Sequence, residues 1–375
     1  MAKVKTAAAD QTYVQRRQRT VAAARQQGRV GALLVTQPED VSYLTGFSGE
    51  DSFLLLAGGD ACLLTDGRFD EQARRECGGI DIHIRTGMMS KALAGILKAR
   101  RFRGAIGVQS EHFTLRQLAS FEENVGQGRF KPLTGLIGPL REVKDTGEIA
   151  AIGKAVKAAQ AAFLALFRMG KEFWLGKTER QLAAELEYRM ALVGSSKPSF
   201  ETIVAVGPNG ALPHYRSGSV KVREGTPVLI DWGATVEGYV SDLTRVVFVG
   251  KIPPKIGLVY DVVRRAQRQA IGAVSPDVPA RDVDGAARGL IEQAGFGERF
   301  VHGLGHGIGR QVHEGPAVAR SVDGPLRAGM VITVEPGIYL PGVGGVRIED
   351  DVEVTPVGRR KLSTLPVEIE DVTLR

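Results

Sequence analysis

The stretch VLIDWGATVEGYVSDLTRVVFVG, residues 228–250, contains two strand-like apolar runs around Glu237-Gly238, a pair suited to a tight hairpin turn. Asp231 ends the first run, where a buried carboxylate is costly unless it is paired, hydrogen-bonded or bound to a cation. A two-residue turn at Glu237-Gly238 sets Asp242 opposite residue 233, which makes Asp231 and Asp242 diagonal neighbours on one sheet face. Backbones so placed lie ~7–8 Å apart, within reach of a shared ion. A three-residue loop sends the two acids to opposite faces, so the turn decides the pairing.

The theme returns in VITVEPGIYLPGVGGVRIEDDVEV, residues 331–354. Glu335 follows VITV and Glu349 follows VRI, and a hairpin centred on Gly342 sets the two glutamates opposite one another. For any one of these acids, an exposed or salt-bridged strand residue is the plainer reading. All four border strongly apolar runs, and a Gly-flanked histidine accompanies them, which moves the balance toward a site. Four clustered carboxylates cannot all stay ionised unaided, and two divalent cations neutralise them. Paired metals about 3.5–4 Å apart are a hydrolytic device that activates a shared water. Oxygen donors with one imidazole favour manganese or cobalt over a thiolate-type zinc site.

The histidines concentrate in VHGLGHGIGRQVHEG, residues 301–315, at positions 302, 306 and 313. The step from His302 to His306 fits two ligands on a helical turn, but four interleaved glycines at ~1 kcal/mol each disfavour a helix. The stretch is therefore read as supplying one ligand rather than two, which leaves the other histidines for substrate and proton handling. His83, on the polar side of an alternating strand, and His112, in a polar turn, receive no role.

The wider chain excludes several classes. Its 375 residues suit two domains, and 43% hydrophobic with 24% charged residues is an ordinary globular composition. The net charge of +7 is spread over scattered basic pairs, which argues against nucleic acid. No uninterrupted apolar run approaches the ~20 residues of a membrane span. MAKVKTAAADQTYVQRRQRT at the N-terminus lacks the apolar core of an export signal, so a cytoplasmic location is expected. Cys62 and Cys77 lack metal-ligand spacing. GKT at 176–178 has Lys171 where a phosphate loop needs glycine, and GLGHGIG at 303–309 fails the GxGxxG pattern at Ile308.

Residues 30–135 alternate strand-like runs (32–35, 52–65, 80–84, 104–108) with an amphipathic helix at 88–99, predicting an α/β domain over 1–140. The polar segment REVKDTGE, 141–148, leads into a long helix whose apolar side carries Ile149, Ile152, Val156, Phe163 and Phe167. Thr178 and Gln181 form a capping box, and further helices are expected at 256–274 and 280–294. Strands at 202–206, 227–235, 239–249, 331–339 and 346–355 make the domain 147–375 an α+β arrangement.

The ordered contexts IDWGA, SDLTR, GHGIG, VEPGIY and RIEDD resemble the metallopeptidases of the pita-bread fold, which include methionine aminopeptidase, aminopeptidase P and prolidase. VSYLTGFSG (41–49) and TDGRFDEQA (65–73) are similar to the creatinase-type N-terminal domain of the proline-specific branch. Creatinase lacks the five ligands that this chain keeps. The resemblance implies that Asp231 chelates one metal, that Asp242 and Glu349 bridge both, and that His306 binds the second. It further implies that Glu335 completes that shell and accepts a proton. His214 in ALPHYRSG, with His302 and His313, matches active-site histidines, and Arg347 matches an arginine supporting the cluster.

The implied activity is that of an Xaa-Pro aminopeptidase using a metal-bridged hydroxide on peptides with proline at the second position. Xaa-Pro dipeptidase (prolidase) is the alternative, and a non-catalytic peptide-binding module the distant one. Two divalent ions, manganese first and cobalt or zinc next, and a homodimer or tetramer complete the expectation. So does an N-terminal domain that helps to shape the substrate pocket.

Overall fold

A computed structural model describes residues 7–375, with side chains from residue 11 onward; residues 1–6 of the basic N-terminal stretch lie outside the described residues. The chain separates into two compact units, residues 1–140 and 141–375.

In the first unit a six-stranded sheet runs in the order Asp81–Arg85, Asp60–Asp66, Phe53–Ala57, Ala32–Val35, Ile106–Gln109 and Phe130–Leu133. Gly58-Gly59 closes the hairpin expected there, pairing Ala57 with Asp60. Ala32, Leu34 and Leu55 pack into one core while Leu33, Val35, Leu54 and Leu56 pack into another. Alternate residues therefore serve opposite faces, and helices cover both, which is why these strands read as continuous apolar runs. Met89–Ala99 is the expected helix; Ala7–Gly28, Pro38–Thr45 and Leu115–Val125 are helices that the apolar spacing does not announce. His112 Nδ1 lies 3.2 Å from the Thr36 hydroxyl, a partner distant in sequence.

In the second unit two larger sheets, accompanied by a three-stranded and a two-stranded one, pack with two pairs of helices. Strands Ile203–Val206, Pro227–Trp232, Leu243–Val249 and Thr373–Leu374 form one sheet. Strands Glu314–Val318, Gly305–Gly307, Val331–Val334, Asp350–Thr355 and Gly358–Lys361 form another. Helices Thr146–Phe167 and Glu179–Leu192 bury Ala159, Phe163, Leu182 and Leu186 against Val228, Ile230, Trp232 and Val247. Helices Pro254–Ala273 and Ala280–Gln293 bury Val259, Val263, Val283 and Ala287 against Val246, Phe248, Ile332 and Val352. Strand 243–249 thus feeds both cores by alternation.

Both hairpins take the anticipated register. Glu237 (φ 54°) and Gly238 (φ 76°) form the two-residue turn, with Val236 opposite Tyr239 and Asp231 opposite Thr244. Around Gly342, Leu340 faces Gly344 and Gly337 faces Arg347, and beyond the glutamates Val334 faces Asp350. The two sheets meet at an antiparallel bridge between Thr244 and Glu349. That bridge brings the aspartate hairpin to the glutamate hairpin.

Two features differ from the sequence reading. Helix Thr146–Phe167 is long and apolar enough to pass a membrane-span test by length and composition, but 56% of its apolar window is buried inside the fold. Segment 141–148 reads as a polar lead-in, yet Arg141 and Lys144 are buried and hold Glu314 at 2.5 and 2.9 Å. Burial without such a partner is what both cations avoid.

Candidate active site

The fold gathers Asp231, Asp242, His302, His306, His313, His214, Glu335, Arg347 and Glu349 around one cavity of about 490 Å³. Strand Pro227–Trp232 supplies Asp231, Asp242 precedes strand Leu243–Val249, and Glu335 and Glu349 adjoin the inner ends of Val331–Val334 and Asp350–Thr355. Carboxylates at strand ends keep their heads at the cavity while the apolar runs beside them stay in the cores.

His306 sits on the short strand Gly305–Gly307, where a bulge separates it from Gly307. The glycines here serve close packing. A Cβ at Gly305 would run into the Thr333 backbone oxygen, and one at Gly307 into that of Gly315. The strand geometry agrees with the reading that four glycines forbid a helix.

Donor atoms converge at the centre of the cavity. His306 Nε2 lies 3.4 Å from Glu335 Oε1 and 3.7 Å from Asp242 Oδ2. Asp242, His306 and Glu349 each offer a ligand atom within 4.8 Å of the others. His306 Nδ1 is 3.2 Å from the Gly307 carbonyl, which fixes the ring proton there and leaves the Nε2 lone pair toward the acids. The buried Asp231 Oδ1 has no hydrogen-bond partner. Four carboxylates, a neutral imidazole and an orphaned oxygen fit divalent cations, which supply the missing positive charge.

Electrostatics follow from that convergence. Burial, then Glu349 and Asp231, pushes the Asp242 carboxyl well above its ordinary range. Burial pushes Glu335 up to about 8, with Arg347 pulling back. Glu349 rises through burial and through Glu335 and Asp231. His306 falls to about 4 because it is buried and lies beside His313, so it is neutral and free to donate its lone pair at neutral pH. Their rings stand 4.3 Å apart between centroids.

Arg347 braces the other side. It reaches Asp231 Oδ2 at 2.5 Å, donates to the Thr244 hydroxyl at 3.1 Å and to the Tyr339 hydroxyl at 2.9 Å. Thr244 donates to Glu349 at 2.6 Å. Tyr339 passes the chain to His302 Nε2 at 2.8 Å, and His302 Nδ1 faces the Gly303 carbonyl at 2.7 Å. Both His302 nitrogens are engaged away from the acids, and burial with Arg347 nearby depresses its pKa to about 4. His214 is exposed at the cavity wall, and His313 is also exposed.

Several participants escape sequence reasoning. Thr244, Thr333 and Tyr339 each sit within a motif already noted, two residues from Asp242, two from Glu335 and four beyond it, but their roles depend on partners across the sheets: Glu349 for Thr244, the His306 amide for Thr333 and His302 for Tyr339. Arg216, two residues after His214, lines the cavity with an 87% exposed side chain; its ion-pair partner Glu201 is 3.6 Å away. Unlike Arg347, it is not held by the acids at the centre.

Known proteins share both parts of this chain. Residues 150–356 match metallopeptidase family M24, and residues 16–143 match the creatinase/prolidase N-terminal domain. The Xaa-Pro dipeptidase of Pyrococcus horikoshii is 35% identical over 342 residues, covering 91% of this chain and 94% of the relative. The solved Xaa-Pro dipeptidase from Bacillus anthracis superposes with a TM-score of 0.91 at 32% identity, covering 96% of this chain and all of that one. An X-Pro aminopeptidase from Thermotoga maritima gives a TM-score of 0.85 at 34% identity, covering 92% of this chain and 99% of that one. With the acid hairpins, the histidine strand and both domain matches in agreement, the chain belongs to metallopeptidase family M24: it is a hydrolase of the pita-bread fold with a creatinase-type N-terminal domain.

Proposed function

We propose that the protein is an Xaa-Pro dipeptidase, cleaving the bond between an N-terminal residue and a C-terminal proline. The sequence alone leans toward an aminopeptidase. Two considerations favour the dipeptidase instead: the relatives named Xaa-Pro dipeptidase, and the cation at the cavity wall. Arg216 carries the choice. A dipeptide presents a free carboxylate beside its proline ring, and Arg216 is the exposed guanidinium in the cavity able to receive it.

In this reading Asp231, Asp242, His306, Glu335 and Glu349 would hold two divalent ions, manganese by preference of the oxygen-rich donor set. When bound, such a pair activates water and stabilises charge developing on the carbonyl oxygen. Glu335, a carboxylate at the centre of the cavity, would accept the proton and return it to the proline nitrogen. His214 and His313 line the same cavity and would donate to the carbonyl oxygen. Arg347 and His302 keep Asp231 and Tyr339 fixed. Catalysis belongs to residues 147–375, within a cytoplasmic homodimer or tetramer.

The test compares an Xaa-Pro dipeptide, its C-terminal amide and an Xaa-Pro-Xaa tripeptide on manganese-loaded protein. The dipeptide acid should be preferred. Arg216→Ala should raise its KM about ten-fold while leaving the amide little changed. Equal cleavage of acid and tripeptide would return the function to an aminopeptidase. Absence of divalent metal binding would leave only a peptide-binding module.

A further inference from the structure

Glu179, the first residue of helix Glu179–Leu192, is fully buried and forms no ion pair among the described residues. Its two oxygens instead accept four neutral hydrogen bonds. Oε1 takes the Val206 amide and the Asn209 side-chain amide, both at 2.8 Å. Oε2 takes the Tyr215 hydroxyl at 2.8 Å and the Gly218 amide at 3.0 Å. All four donors belong to one stretch, residues 206–218, that supplies Pro213, His214, Tyr215 and Arg216 to the cavity wall.

The helix does not need this carboxylate for its own start. Thr178 and Gln181 already form a complete capping box there. Around Glu179 the packing is tight: a Cβ at Gly218 would press on the Tyr215 hydroxyl and on Glu179 Oε2. Ser217 adds a tie by donating to Thr202 O and accepting from Val204 N. Tyr215, Ser217 and Gly218 are therefore anchored, while the side chains of His214 and Arg216 stay exposed between those anchors.

We propose that Glu179 is a positioning residue: its four hydrogen bonds fix the cavity wall that presents His214 and Arg216, and so set how well substrate is held. The kinetic consequence rests on the dipeptidase reading; the structural one does not.

The informative variant is Glu179→Gln. An amide nitrogen must then face the Val206 and Asn209 donors or the Tyr215 and Gly218 donors, so one end of the stretch loses its acceptor. Expected are a KM for the Xaa-Pro dipeptide about ten-fold higher, through Arg216, and a smaller fall in kcat, through His214. Manganese affinity by titration calorimetry should be unchanged. Hydrogen exchange should quicken across 207–218 and hold steady in the helix after residue 181. Asn209→Ala removes one donor from outside the cavity lining and should move KM and exchange in the same direction by less. Unchanged exchange in both variants overturns the proposal, as does a parallel fall of kcat, substrate affinity and metal affinity. If the wild-type protein cleaves no Xaa-Pro substrate, the dipeptidase reading fails, and the exchange pattern alone decides the role of Glu179.

Discussion

His306 and His313 are neighbouring imidazoles with different surroundings, and the difference predicts different responses to substitution. His306 is walled in by glycines, with one nitrogen tied to a carbonyl and the other aimed at Asp242 and Glu335. His313 is exposed at the cavity, with only a partial burial effect and His214 lowering its pKa. His306→Ala should therefore lose one metal ion per chain, measured by elemental analysis after manganese loading. His313→Ala should keep both ions and lose about 10²–10³-fold in kcat, the usual cost of removing one donor to a developing oxyanion. Equal metal loss in the two variants would erase the distinction. The four-residue step between His302 and His306 is a case where spacing alone misleads. In the structure His302 is held between Gly303 and Tyr339, with neither ring nitrogen turned to the acids.

At the scale of elements, two hairpins and one bridge build the site. The hairpins are legible in the sequence because a turn centre and strand parity fix the register, and every facing pair follows from it. The bridge between Thr244 and Glu349 is not legible, since nothing local to SDLTR or RIEDD states which strand of a different sheet will lie alongside. The same holds for Glu314, whose buried partners Arg141 and Lys144 sit in a stretch that reads as a polar connector. Arg245 shows how the bridge is held. It is fully buried against Asp350 at 2.7 Å and donates to the carbonyl oxygens of Thr244, Glu349, Leu365 and Pro366. Removing Arg245 leaves the buried Asp350 with only the more distant Lys361, at 3.3 Å, as a charged partner, so Arg245→Ala should cost about 3–5 kcal/mol of stability, read by chemical denaturation. A loss below about 1 kcal/mol would show that the pair is dispensable.

For the whole molecule, the clustered buried acids predict that divalent metal adds stability to the fold. In the metal-free chain, Glu335 has its folded pKa pushed from 4.5 up to about 8, and Asp242 and Glu349 shift in the same direction. The folded state then holds protons that the unfolded chain has already released, so stability falls as pH rises through that window. His302 and His306, depressed to about 4, act oppositely below their ordinary value of 6.5 and are neutral in both states above it. Between about pH 6.5 and 8 the metal-free protein should therefore lose thermal stability, and manganese at a hundred times its Kd should add about 2.7 kcal/mol. Melting curves at the two pH values, with and without manganese, check this; a metal-free protein that melts higher at pH 8 contradicts it.

The hairpin centred on Gly342 carries a further consequence, for how this chain tolerates change in length. Glu335 and Glu349 face each other because equal numbers of residues flank the turn on each side. One residue gained or lost in the PGVGG loop would turn the following arm over and carry Glu349 to the wrong face. Two would keep the face and shift the partner. Between these glutamates the gene is therefore intolerant of single-codon insertions and deletions, however exposed the loop, while the same change outside the paired arms leaves the facing acids in step.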